Sequence, residues 1–446
     1  MPKKTSRRRF LKQVTATATA ASVPLILPRL SLAAPPSGRL QHASIGVMGM
    51  GKNDLREIYG SKKVDIVALC DIDQSHLDKV KTSFPKARIY NDWREMLEKE
   101  EKNIDSVNIA IPDHMHAPVA MTALRKGKHV YCQKPLTHEL YEARKLRRMA
   151  DKKGVATQMG IQIHSHKFYR TAVIWLQQGA IGKVKEWHSW CSASYTYPGG
   201  KRPAGSDPVP PGVHWDYWIG VAPYRPYKKD IYHPFKWRCW RDFGSGATGD
   251  FGCHIFDPVF TALDIGAPMT VTSQVESTYK EVWPAWTILD YEFPGTKWTT
   301  GKTIKGTWMD GGKQPDKGLS PDLPKDYKLP KSGSMIIGED GTMILPHVGH
   351  PELYPKEKFA KYPEPKLDDL NHYHQFVDAA LGHGKTGANF DYSGPLTEVI
   401  LIGNVADRFP GKTLEWNAKR LRFDNSKEAN EHIRRRYRKG WKVRGL

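Results

Sequence analysis

The sequence predicts an α/β protein in two parts: an N-terminal doubly wound parallel sheet, then a C-terminal α+β domain on a large, mostly antiparallel sheet. Three observations carry this. Apolar runs alternate with stretches of helical spacing from residue 42 to about residue 160. A Gly-rich turn sits where the first strand meets the first helix, and beyond residue 162 the alternation gives way to period-two strand patterning. With 446 residues, 39% of them hydrophobic and 14 of them Trp, the chain has the apolar surface for two or three packed domains, which excludes a disordered protein.

From the N-terminus, Ser6-Arg7-Arg8-Arg9-Phe10-Leu11-Lys12 leads into a weakly apolar stretch, residues 14–27, and then to Ser31-Leu32-Ala33-Ala34-Pro35. This resembles a twin-arginine signal, residues 1–33, cut after Ala33. The implied partner is the twin-arginine export machinery, and the implied location is the periplasm or another exported site. No segment has about 18 consecutive apolar residues, so stable membrane insertion is not expected. The five cysteines are odd in number and form no Cys-x-x-Cys pair, so buried thiols are expected rather than disulfides or a thiolate metal site. Of the net charge of +21, +7 lies in residues 1–33 and +8 in residues 419–446. The +6 left between them disfavours a nucleic-acid groove. The basic tail, 419–446, is expected to be solvated or to touch another subunit.

The N-terminal domain is assigned to residues 40–161. Residues 44–48, 64–70, 106–111 and 129–131 read as strands, and residues 75–84, 91–99 and 116–126 as helices, with Asn91 or Asp92 as a cap. In Gly49-Met50-Gly51-Lys52-Asn53-Asp54, Gly49 permits the tight turn and Gly51 lets the backbone approach a pyrophosphate, while Asp54 stands where a third glycine is usual. Asp71 ends the second strand 20 residues beyond Gly51, the separation at which a carboxylate bonds an adenosine ribose 2′-hydroxyl. The blander reading of Asp71 is a turn cap, a role that suits the neighbouring Asp73. Strand, Gly-x-Gly, helix and spaced acid together point to a dinucleotide, NAD favoured over NADP.

Pro112-Asp113-His114-Met115-His116 follows the fourth strand, and Cys132-Gln133-Lys134-Pro135-Leu136 follows the fifth. Further on stands Gly249-Asp250-Phe251-Gly252-Cys253-His254-Ile255-Phe256-Asp257. With these motifs the chain resembles the glucose-fructose oxidoreductase and inositol dehydrogenase (Gfo/Idh/MocA) family, an N-terminal Rossmann domain followed by a sheet domain. That family usually has Glu-Lys-Pro where this chain has Gln133-Lys134-Pro135. The resemblance implies NAD-dependent hydride transfer on a carbohydrate, a homo-oligomer (dimer or tetramer), a cis peptide before Pro135, and Lys134 at the nicotinamide and substrate. Pro112, His116 and Gln133 join Gly49, Gly51 and Asp71 as expected cofactor neighbours. Asp250 and His254, four apart, share one helix face. His254 is expected as general base, Lys134 as the cation facing the developing oxyanion, and Asp250 as the group that orients His254 or holds a substrate hydroxyl, with Asp257 in support. The plain alternative makes Asp250 a helix cap and His254 a core histidine.

The second domain is assigned to residues 162–418. It opens with a helix at 166–178 and a strand at 184–190. Residues 195–245 are irregular and dense in aromatics, with loops at 198–212, 315–331 and 349–365 and late helices at 371–381 and 395–408. Trp215, Trp218 and Trp240 are expected to be structural. Trp237, Arg238 and His233 are substrate candidates, because aromatic faces suit sugar C–H surfaces and the polar groups suit hydroxyls. The His-x-His pairs at 114/116, 164/166 and 372/374 lack a ligand set at recognisable spacing, so no metal is assigned. Two rivals remain at this stage: a glycosidase or lyase that oxidises transiently and eliminates, and a silent sugar-binding protein.

Overall fold

A computed structural model describes residues 38–446; the expected export signal, residues 1–33, lies outside the described residues. The N-terminal domain runs β1 (Leu40–Ile45), α1 (Met50–Gly60), β2 (Val64–Cys70), α2 (Gln74–Lys81), β3 (Arg88–Tyr90), α3 (Trp93–Lys99), β4 (Ser106–Ile109), α4 (His116–Arg125), β5 (His129–Cys132), α5 (Leu140–Lys153) and β6 (Thr157–Met159). Its six strands lie in the order β3-β2-β1-β4-β5-β6, every pairing parallel. The chain leaves β1 on one side and returns to β4 on the other, so a crevice opens at the carboxyl ends of β1 and β4. β1 stops at Ile45, not at Met48 as its pattern suggests. Gly46 turns to φ +80°, and a Cβ there would lie 2.2 Å from the Ala110 carbonyl oxygen. Asp73 caps α2 by accepting from the Ser75 N–H, and Asp92, not Asn91, caps α3.

The second sheet holds β7 (Val184–Trp190), β8 (Thr270–Val275), β9 (Thr287–Pro294), β10 (Thr303–Met309), β11 (Gly333–Gly338), β12 (Thr342–Pro346), β13 (Glu352–Tyr354), β14 (Leu414–Asn417) and β15 (Arg422–Phe423). Their order is β13-β12-β11-β7-β10-β9-β8-β14-β15, and β7 with β10 is the parallel pair among antiparallel neighbours. The helices of this part are α6 (Lys167–Gln177), α7 (Trp215–Ile219), α8 (Gly246–Leu263), α9 (Lys356–Phe359), α10 (His372–Ala380), α11 (Phe390–Ala406) and α12 (Lys427–Asn430). Strand alternation explains the packing. Trp187 of β7 meets Phe256 of α8 with ring centroids 4.8 Å apart, while Trp190 turns to the other face with Met335 and Ile344.

Three sequence expectations change here. Residues 349–365 are not a plain loop but carry β13 and α9, because Thr342–Ile344 offers a sheet edge that pairs with Glu352–Tyr354. α11 begins five residues before Pro395, since the Asn389 side chain accepts from the Asp391 and Tyr392 N–H groups. The basic tail is docked rather than free: Ile433 and Trp441 are buried, Arg435 bonds Glu139 at 2.8 Å, the Tyr437 hydroxyl donates to Glu142 at 2.6 Å, and Arg438 pairs with Asp216. Arg434, Arg436, Lys439, Lys442 and Arg444 stay exposed to solvent, as expected, and Arg94 lies 4.0 Å over the Trp441 ring. α10, from the late sequence, packs Tyr373, Phe376 and Val377 against Leu55 and Ile58 of the N-terminal domain. The cysteines are free and buried, as expected. Among the described residues no helix is long and apolar enough to cross a membrane.

Because Trp441 anchors the tail, Trp441→Ala is expected to lower unfolding free energy by about 3 kcal/mol in urea titrations. It should also expose the basic run 434–438 to trypsin, whereas the exposed Lys439→Ala should change neither.

Candidate active site

The loop after β5 and the first turns of α8 meet through one ion pair. The Lys134 ammonium bonds Asp250 Oδ1, and both side chains are nearly buried. The Lys134–Pro135 peptide is cis, as the resemblance implies. The Tyr195 hydroxyl donates to Asp250 Oδ2 at 2.8 Å, and Arg238 Nε approaches that same oxygen at 3.8 Å. Burial alone would raise the Asp250 carboxyl, but Lys134 and Arg238 hold it down to about 2, so it is an anion at any working pH.

His254 stands one turn further along α8. Burial first, then Lys134 and His347, hold its imidazole well below the ordinary range, and its Nδ1 is buried without a hydrogen-bond partner. Both oxygens of Asp250 are taken by Lys134 and Tyr195, so Asp250 braces Lys134 rather than orienting His254. Asp257 does not support the pair either: it accepts from His164 Nδ1 at 2.8 Å and from the Tyr392 hydroxyl at 2.5 Å. Two turns along the helix from Asp250, it meets His164 and Tyr392 instead.

The cofactor-side residues divide. Gly49, at φ +57°, caps α1 with no side-chain bond to the first turn and open space where a Cβ would stand. A Cβ on Gly51 would lie 2.0 Å from the Gly46 carbonyl oxygen. These bare positions fit a pyrophosphate resting on the helix N-terminus. Asp71 is held ready by the Val47 and Asp73 N–H groups at 3.0 and 3.1 Å. Pro112 ends β4 at the crevice, leading a short 3-10 turn. His116 is corrected from a cofactor contact to a structural link. It is buried, with its ring nitrogens 2.8 Å from the Pro135 and 2.7 Å from the Ile111 carbonyl oxygens, so it fixes the Lys134 loop to the end of β4.

Gln133 is also buried, its amide Nε2 donating at 2.9 Å to both oxygens of Asp54. Asp54 further accepts from the Tyr373 hydroxyl at 3.0 Å. The carboxylate that the family pattern places at position 133 is thus supplied from position 54, where that pattern has glycine. Burial pushes the Asp54 carboxyl up to about 7 against the pull of Gln133 and Tyr373.

Of the substrate candidates, Arg238 is at the site, its guanidinium 4.2 Å over Trp237 and 4.5 Å over Phe235. Trp237 is buried with Trp215, Trp218 and Trp240, which are structural as expected. His233 leaves the group: it lies 4.0 Å from Asp73 and next to His76, at the Asp71 end of the crevice. Three residues given no role from the sequence join the site. They are Tyr195, His347 and Asp113, whose buried carboxyl accepts from the Ser245 N–H at 3.0 Å and is pushed by burial to about 7. Asp113 stands in the motif after β4, whereas Tyr195 and His347 are marked only by following β7 and β12. The three His-x-His pairs are spent on separate partners, and among the described residues no cluster of three or more His, Cys, Asp or Glu could hold a metal.

Comparison with known proteins matches both parts. Residues 40–161 fit the model of the oxidoreductase family, NAD-binding Rossmann fold, and residues 183–306 fit that of its C-terminal alpha/beta domain. The chain belongs to the Gfo/Idh/MocA oxidoreductase family. Within that family it is 24% identical over 168 residues to levoglucosan dehydrogenase of Pseudarthrobacter phenanthrenivorans, covering 37% of this chain and 34% of the relative. It is 28% identical over 170 residues to inositol 2-dehydrogenase of Salmonella typhimurium, covering 37% and 49%. The matched stretch spans under half the length of these curated relatives. The WlbA dehydrogenase of Bordetella pertussis, solved with NADH and UDP-GlcNAcA, shares the fold with a TM-score of 0.60 at 15% identity, over 85% of this chain and 99% of that one.

Asp54 generates a stability prediction. Its folded value lies above that of an unfolded carboxyl, so the native state holds the extra proton. Its contribution is therefore greatest below about pH 4 and is lost as pH rises towards 7. Asp54→Asn is expected to reduce the loss of unfolding free energy between pH 4 and 7, measured by urea denaturation, relative to the wild-type chain.

Proposed function

We propose that this family member is an exported, NAD-dependent dehydrogenase acting on a carbinol carbon of a sugar, polyol or glycoside. The observation that carries the reading is the meeting of the Lys134–Asp250 ion pair with a neutral, buried His254 at the crevice of the NAD-binding fold. Bound NAD supplies the acceptor for the substrate's carbinol hydride. Gly49 and Gly51 would receive its pyrophosphate, Asp71 its adenosine ribose, and Pro112 and Gln133 would flank the nicotinamide half.

The chain's own groups handle the proton and the charge. His254, neutral at working pH, accepts the hydroxyl proton from the substrate. Lys134 faces the oxygen as negative charge develops there, which stabilises it in a site with little water. Asp250 keeps Lys134 aimed, while Tyr195 and Arg238 fix Asp250 in turn. Asp71 favours NAD over NADP, because a 2′-phosphate would meet a carboxylate already held by two backbone N–H groups. The twin-arginine motif supports export of the folded chain with its dinucleotide already inside. Outside the cytoplasm no soluble dinucleotide pool replaces a spent molecule, so the cofactor is proposed to stay bound and to be recycled on the protein.

Two experiments check this. Protein isolated from the exported fraction should carry near-stoichiometric nicotinamide through dialysis, and one of a panel of sugars, polyols and glycosides should change its nicotinamide absorbance. An empty protein that turns over only with added free NAD would remove the retained-cofactor proposal. Glycoside cleavage with no transient reduction would remove the dehydrogenase. In site variants, Lys134→Ala and His254→Ala should each lower kcat by about 10²- to 10⁴-fold with NAD still bound. Asp71→Ala should instead weaken NAD and narrow the preference over NADP.

A further inference from the structure

Outside the crevice, a cavity of about 250 Å³ lies between the segment before α8, the end of α11 and the basic tail. At roughly 30 Å³ per water it has room for about eight, more than a packing defect needs. Its lining includes Arg241, Arg408, Lys280, His432, Arg435 and Asn404, and none of Lys134, Asp250 or His254.

The acids beside these cations are hydrogen-bonded elsewhere. Glu139 is committed to Arg435 and His138, Asp242 to Arg225, and Asp407, whose charge attracts both Arg241 and Arg408, accepts from the Ser273 and Thr287 hydroxyls at 2.7 and 3.2 Å. Glu431 also lines the cavity but is exposed to solvent. Arg241 is 3% exposed. Its Nε donates to the Val282 carbonyl at 2.8 Å and its guanidinium lies 4.4 Å over Trp283, so the group is fixed in place. Yet both of its Nη atoms are buried with no partner. Burial first, then the neighbouring Arg408, pull Arg241 down to about 9, and burial followed by Arg408 takes His432 to about 4. Asn404 adds an acceptor: its Nδ2 is held by the Ser245 carbonyl at 2.9 Å, leaving Oδ1 buried and unpartnered. A buried guanidinium with two unbonded Nη atoms is unfavourable, and an oxyanion that enters satisfies them.

We propose that this cavity is a binding site for a small hydroxylated oxyanion, whose charged oxygens meet Arg241 and Arg408 and whose hydroxyl donates to Asn404 Oδ1. Two sources present that chemistry: free hydrogen phosphate and the carboxylate of a sugar acid. The site is separate from the proposed dehydrogenase centre and does not depend on it.

The test is calorimetric titration of the NAD-saturated full chain with inorganic phosphate and, separately, with gluconate, on wild type, Arg241→Met and Lys280→Ala. Binding of phosphate alone assigns the free anion, and tighter binding of gluconate assigns a sugar acid. Arg241→Met should weaken the bound probe at least tenfold, about 1.4 kcal/mol. Its melting temperature without anion should change little, since the two Nη donors it removes are buried and unbonded. Lys280 is exposed at the rim, so Lys280→Ala leaves the fold intact and should weaken binding about threefold. No binding of either probe to wild type, or binding unchanged in both variants, would overturn the proposal.

Discussion

The buried ion pair between Lys134 and Asp250 is the constraint around which the site is arranged. It joins the loop after the fifth strand of one sheet to the helix that covers the other, so the two halves of the chain meet at a charge. Removing one partner from such a pair leaves the other uncompensated in a medium of low polarity, which is far more costly than the pair itself is stabilising. The surroundings follow from it. Tyr195 and Arg238 occupy the outer oxygen of Asp250, and His116 ties Pro135 to the end of β4. The field of Lys134 contributes to keeping His254 and His347 uncharged, and Asp113, buried near Asp250, is driven towards neutrality. Around Asp250 two cations, Lys134 and Arg238, face one firmly ionised carboxylate, the local balance of sign that a developing alkoxide requires.

Much of the fold was legible because local chemistry and tertiary demand agree. Strand β7 has the bounds its alternation marks, and Asp73 and Asp92 act as the caps their positions allow. Where the two diverge, the sequence misleads. The Met48 end of the first apolar run is not strand, because close passage of the backbone by Ala110 forces Gly46 into a positive φ. The tail looks like a solvated charge run until Glu139, Glu142 and Asp216 are known to lie beneath it, and these acids come from distant parts of the chain.

The site was legible to the same extent. Lys134, Asp250 and His254 sit in contiguous motifs, so their meeting follows from the family pattern. Asp257 and His233 share those neighbourhoods in sequence but are claimed by partners that only the folded chain brings up, His164 and Tyr392 for one and the Asp73–His76 corner for the other. Tyr195 and His347 are ordinary residues beyond strand ends, with nothing local to distinguish them, and Asp113 stands in a motif that does not reveal its partner, the Ser245 N–H. The assignment of α10 shows the same limit at the level of domains. Its apolar face is plain in the sequence, but its partner, α1, lies some 320 positions away and belongs to the other sheet.

The contact between Asp54 and Gln133 couples two positions that lie far apart in the chain. Restoring glutamate at 133 alone would set two carboxylates against each other at contact distance in a buried pocket, with the bare face of Gly160 pressed against the side chain from behind. Restoring glycine at 54 alone would leave the Gln133 amide and the Tyr373 hydroxyl without their shared acceptor. Each residue therefore suits its place only in the company of the other, and two positions 79 apart in sequence act as one unit of packing and charge.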